Sequence, residues 1–184
     1  MTSHDLTQKN FDQTFFELFN IPEGYEVDIP NLSQSYRELQ QAVHPDRFAA
    51  ASSQEQRVAV QYASWVNEAY ETLKSPVNRA HYLLSLKDQA PDAQQTIGND
   101  PAFLMHQMSL REQLMDLREE DDPESALDNL REELEELISH QCDDFAQSFS
   151  AEDYEHASQS VGKMQFLFKL EEDMERLEAE ILDF

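Results

Sequence analysis

The sequence contains only three glycines, at 24, 98 and 162, in 184 residues. Its seven prolines, at 22, 30, 45, 76, 91, 101 and 123, stop well short of the C-terminus. Residues 124–184 therefore form a 61-residue stretch with no proline and one glycine, and residues 46–75 contain neither. Strands joined by tight turns need many more of both, because these residues supply positive φ and fixed turn dihedrals. The scarcity points to an all-α protein.

Apolar spacing places the helices. A short one is expected at about 11–19, before the loop Ile21-Pro22-Glu23-Gly24. A second spans about 31–43, with Leu32, Tyr36, Leu39 and Val43 on one face. It breaks at His44-Pro45-Asp46, since proline disfavours helix in the residue before it. A third covers about 54–74, with Val58, Tyr62, Val66, Ala69, Tyr70 and Leu73 aligned. Ser75-Pro76 then reads as N-cap and first residue of a fourth, carrying Ala80, Leu83 and Leu84. Lys87–Asp100, with Pro91, Gly98 and Asn99, is the natural linker.

Three further helices are expected at roughly 101–119, 124–149 and 151–183. Leu127, Leu130, Leu134 and Leu137 mark the second. Tyr154, Ala157, Val161, Met164 and Phe168, continuing through Met174, Leu177 and Ile181, mark the third. These spacings suit an antiparallel bundle or a coiled coil, and the expected form is a three-helix bundle. The expected division is an N-terminal helical domain over 1–80, a connecting helix and linker over 81–100, and the bundle over 101–184.

The formal charge is −25. Such a surface repels phosphates and anionic lipid, which argues against nucleic-acid and membrane partners. No apolar run approaches the roughly 20 residues needed to span a bilayer. The N-terminus lacks a signal-peptide pattern and Cys142 is the single cysteine, so the expected compartment is the cytoplasm. The charge is unevenly spread: residues 1–80 carry −5 and residues 81–184 carry −20. Two halves so different are expected to meet different partners.

Two features invite a functional reading. His44-Pro45-Asp46 falls between two helices able to pack antiparallel, with Asn67-Glu68-Ala69-Tyr70 on the second. Proline holds the backbone extended while His44 and Asp46 offer a donor and an acceptor on either side. Taken alone, the tripeptide reads equally as an exposed site or as a loop whose polar residues cap helix ends. The 101–119 helix carries two apolar stripes. Phe103, Leu110, Leu114 and Leu117 make a core face; Leu104, Met105, Met108 and Met115 make a second, about 120–150° away, bordered by Glu112 and Asp116. Phe166 lies out of register with Met164 and Phe168 on the last helix. A second, Met-rich face is either an adaptable docking surface or a face buried against a neighbour.

Other chemistry is not visible. No two of the six histidines are closer than sixteen positions, so no helical metal motif occurs. Cys142 sits beside Asp143 and Asp144, which disfavour a thiolate. The run Glu119-Glu120-Asp121-Asp122 lacks EF-hand spacing, and there is no Gly-rich phosphate loop. The expectation is a non-enzyme with no catalytic residue, cofactor or metal.

His44-Pro45-Asp46, with Asn67-Glu68-Ala69-Tyr70-Glu71-Thr72-Leu73 and Ser75-Pro76, resembles a J domain, a helical hairpin presenting this tripeptide in its loop. The likeness narrows to the iron–sulfur co-chaperone family, HscB. Its marks are Phe16-Glu17-Leu18-Phe19, Arg79-Ala80-His81-Tyr82-Leu83-Leu84-Ser85-Leu86, Phe103-Leu104-Met105, Leu110-Arg111-Glu112 and Ile181-Leu182-Asp183-Phe184. The resemblance implies that His44, Pro45 and Asp46 dock on a DnaK-type chaperone, HscA, and stimulate its ATPase, so that His44 is no general base. Arg37 and Arg47 would supply the basic face, which is thin because Gln34, Gln40 and Gln41 are neutral. Val43 stands where tyrosine is frequent.

The resemblance further implies that Leu104, Met105, Met108, Glu112, Asp116 and Phe166 bind the iron–sulfur scaffold IscU, for cluster transfer and protein maturation. Ser109 stands where the family commonly has an acid, which weakens that edge. The rival readings are a J-protein with a different client, and a helical interaction protein in which the tripeptide is incidental.

Overall fold

The computed structural model describes residues 12–44, 48, 51–89, 100–117 and 120–182, with Ile181 and Leu182 as backbone only. Among these, every regular element is a helix: α1 (Phe15–Phe19), α2 (Ile29–Val43), α3 (Ser53–Lys74), α4 (Pro76–Leu86), α5 (Pro101–Asp116), α6 (Pro123–Ser150) and α7 (Tyr154–Leu182). The chain divides into two compact units after Leu83, inside α4.

Local chemistry sets the helix ends. Thr14 caps α1: its hydroxyl accepts the Glu17 N–H at 3.2 Å, and Glu17 accepts the Thr14 N–H at 2.8 Å. This capping box starts the helix at Phe15, later than the spacing suggests. Ser52 and Glu55 repeat the device on α3. Asp28 caps α2, whose second residue is Pro30, so that helix begins two residues earlier than expected. Ser75 ends α3 and its hydroxyl accepts the Asn78 N–H at the start of α4.

In the first unit α2 and α3 form an antiparallel hairpin, since Ser33 meets Tyr70 while Tyr36 and Gln40 meet Asn67. Leu32, Val43, Tyr62, Val66, Ala69 and Leu73 are buried along it, each large side chain contributing about 1.5–3 kcal/mol. The short α1 adds Phe16, Leu18 and Phe19 to this core. Tyr82 on α4 holds α1 in place: its phenol oxygen accepts the Phe15 N–H at 2.9 Å, and its ring stacks on Phe15 at 4.4 Å and on Phe16 at 5.9 Å. Burial pushes the Tyr82 phenol above its usual range. Arg79 is also buried; it donates to the Leu73 carbonyl at 2.6 Å and lies over the Tyr25 ring at 5.0 Å.

The second unit is built on the antiparallel pair α6–α7, joined by a tight turn with Glu152 at positive φ. Leu127, Leu130 and Leu134 from α6 meet Leu167, Leu170 and Met174 from α7, and Leu110 of α5 with Leu117, the residue that caps its C-terminus, closes the core. The α7 stripe differs from the expected one. Leu167 and Leu170 are buried, whereas Phe168 is half-buried, because the helix advances by three residues rather than four after Met164.

Candidate docking surfaces

In the first unit α2 ends at His44, which is exposed with φ −56° and ψ 133°. That extended conformation is what the following proline requires. Pro45, Asp46 and Arg47 lie outside the described residues. A shallow groove of about 680 Å³ runs beside His44, lined by Arg37, Gln40, Gln41, Ala63 and Asn67.

Asn67 organises one wall of the groove. Its side-chain oxygen accepts from the Tyr36 hydroxyl at 3.1 Å and from the Gln40 amide at 3.2 Å, and Gln40 also bonds the Tyr36 hydroxyl. The Tyr36 and Tyr70 rings stack at 4.0 Å. This seam fixes the hairpin register next to His44. Apolar spacing marks Tyr36 and Tyr70 as facing residues but gives no sign of the polar bridge. On the outer face of α2, Arg37 is exposed beside neutral glutamines and Glu38, so the surface is only weakly basic.

In the second unit α5 presents the two stripes the sequence places on it. Leu110 and Leu117 are buried, while Leu104 is 36%, Met105 73%, Met108 64% and Met115 77% exposed. Glu112 and Asp116 are exposed along the same side. The second stripe is therefore an open face, not one covered by a neighbouring helix.

Phe166 is placed differently from the sequence expectation. It is half-buried and packs against the core, its ring edge-on to Phe103 at 6.0 Å and covered by the Arg111 guanidinium at 5.3 Å. Phe103, expected in the core, is likewise half-buried, beneath the Lys163 ammonium at 5.3 Å. Lys163 also pairs with Asp100 at 2.8 Å, and Asp100 caps α5 through the Phe103 N–H at 2.9 Å. The Lys163 hydrogen bond and that of the Phe103 amide hold the Asp100 carboxyl below its usual range. This cluster of two rings and two cations fixes the start of α5 against α7. Nothing in the periodicity reveals it, because Lys163 sits among the apolar positions of α7 without belonging to them.

Among the described residues, no group of three or more His, Cys, Asp or Glu side chains is placed to hold a metal ion. His106 bonds Glu133 at 3.0 Å and Cys142 is half-buried. Among the described residues, no helix is long and apolar enough to cross a membrane.

A hairpin whose first helix ends at an exposed histidine, and a separate helical unit with one open apolar face, fit the architecture that the resemblance to a J-domain co-chaperone implies. Comparison with known proteins narrows the class. Residues 99–175 match the family model described as the HSCB C-terminal oligomerisation domain. The chain is 42% identical over 168 residues to a co-chaperone protein HscB homolog of Photobacterium profundum, covering 91% of this chain and 98% of that protein. A homolog from Aeromonas salmonicida is 43% identical over 171 residues, with the same coverage. The structure of chaperone HscB from Vibrio cholerae superposes with a TM-score of 0.82 at 38% identity, over 91% of this chain and 99% of that one. Human co-chaperone HscB superposes with a TM-score of 0.83 at 27% identity, over 92% and 84%. The chain belongs to the HscB co-chaperone family.

Proposed function

We propose that this co-chaperone stimulates the ATPase of an HscA-type chaperone through His44, Pro45 and Asp46, steered by Arg37 and Arg47. Its second unit delivers an IscU-type scaffold for iron–sulfur cluster transfer in the bacterial cytoplasm. The scaffold contacts are Leu104, Met105 and Met108, oriented by Glu112 and Asp116, with Phe166 at the margin where α5 meets α7.

One observation carries the reading. Among the described residues, the large apolar side chains left exposed fall on the outer face of α5, with Val60 the single exception. An isolated exposed apolar residue is ordinary, but four on one helix face rimmed by acids make a binding surface. In such an interface the apolar centre supplies most of the affinity, and the acids set orientation and association rate. The chaperone acts on ATP with its own catalytic groups, so this chain needs no nucleophile or metal. Carrying both contacts on one chain raises the effective concentration of client at the chaperone.

The test is chaperone ATPase turnover with and without scaffold. His44→Gln should abolish stimulation yet leave scaffold binding intact. Leu104→Ala should keep the basal stimulation and lose the scaffold-dependent part. Normal stimulation by His44→Gln would refute the chaperone contact, and unchanged scaffold binding by Leu104→Ala would refute the client contact.

A further inference from the structure

Met115 is the most exposed of the large apolar side chains among the described residues, and the scaffold contacts set out above do not use it. At about 100° per residue, Met115 projects between Leu104 and Met108 when α5 is viewed down its axis. It lies two turns further along, so Leu104, Met108 and Met115 form one strip about 16 Å long. The strip has unlike edges. On one side stand Glu112 and Asp116, and with Glu120 they wall a second groove of about 400 Å³ between α5 and α6, which Ser109 and Asn129 also line. On the other side stands Arg111, its guanidinium over the Phe166 ring.

Resting on the scaffold reading, we propose that the docking face continues from Met108 to Met115. The scaffold segment it receives then presents an apolar strip of about three helical turns, with a lysine or arginine entering the groove beside Glu112, Asp116 and Glu120. Continuity with the Leu104–Met108 face and the charge of the groove both favour this occupant. A second copy of the chain is disfavoured, since residues 81–184 carry −20 and would set acid against acid. Glu120 and the groove also offset the missing acid at Ser109, by moving the charge contact toward the far end of α5.

Calorimetric titration of the full chain with the IscU-type scaffold, at low and high salt, tests the proposal. Met115→Ser should weaken binding roughly five- to tenfold, the loss expected for one partly buried methionine. Its melting temperature should not move, because the side chain is exposed. Glu120→Gln should reduce the salt dependence. Val60→Ser, also an exposed apolar position but on the other unit, should bind as the parent does. If Leu104→Ala weakens binding and Met115→Ser does not, the extension is overturned while the scaffold site stands. If neither weakens binding, both readings fall. If Met115→Ser instead dissociates an oligomer of the chain and leaves scaffold affinity unchanged, the occupant is a second copy and the proposal fails.

Discussion

The hold of Tyr82 on α1 can be tested one atom at a time. A five-residue helix is too short to persist alone, so α1 depends on its contacts. The Phe15 N–H is one of the donors that every helix start leaves without an intrahelical partner, and the Tyr82 oxygen takes it. Tyr82→Phe removes that acceptor and keeps the ring stacked on Phe15 and Phe16. The site is half-buried, so water partly replaces the lost bond and the expected cost is about 1 kcal/mol. For a unit of this size that lowers Tm by roughly 4–8 °C. Tyr82→Ala also forfeits both ring contacts, each worth about 0.5–1.5 kcal/mol, and should cost about 3 kcal/mol in all. The sole tryptophan, Trp65, reports on the region, lying edge-on to Phe15 at 6.5 Å. Urea titrations followed by its fluorescence should rank parent, Phe and Ala variants in that order. Equal stability of the Phe variant and the parent, or equal losses for Phe and Ala, would refute this account.

Three further predictions concern stability. Leu134 is fully buried where α5, α6 and α7 meet, so Leu134→Ala should cost about 3–4 kcal/mol by chemical denaturation followed by circular dichroism; a loss below about 1.5 kcal/mol would mean the core collapses around the gap. Burial, and then Glu175, Glu135 and Glu172, push the Glu171 carboxyl above its ordinary 4.5, so the native state disfavours its charge. Stability from this group is complete below that value and lost as pH rises; Glu171→Gln should therefore raise Tm at pH 7 and not at acid pH, and a Tm gain that persists there would point to a packing effect instead. Burial lowers the His81 pKa from 6.5, so its contribution is complete above that value and declines as pH falls, and melts of His81→Gln should lose less between about pH 6.5 and pH 5 than the parent does.

The helices were legible because α-helical order is local: the spacing of Leu32 and Val43 or of Leu127, Leu130 and Leu134 is enough to place a buried face. The open stripe of α5 was legible for the same reason, since four apolar residues lie opposite a complete core face. What escaped the sequence is non-local. Phe166 belongs to the seam between α5 and α7, a fact set by Phe103 and Arg111 more than fifty positions away in the chain. Asn67 bridges Tyr36 and Gln40 across the hairpin, and polar pairings of this kind carry no periodic signature. The buried Leu167 and Leu170 show a subtler limit: after Met164 a step of three and a step of four fit the pattern equally, and only packing against α6 decides.

Ser75 has a consequence for the order in which the protein comes apart. Its backbone N–H closes α3 on Glu71, and its hydroxyl opens α4 at Asn78. Arg79 adds a second tie by reaching back to the Leu73 carbonyl. With no loop between them, neither helix can fray at this end without uncovering the other's terminal polar groups. Amide exchange across Ser53–Leu86 should therefore proceed in one cooperative step. The boundary between folding units would then lie beyond α4, several residues past the point at which the chain divides by compactness.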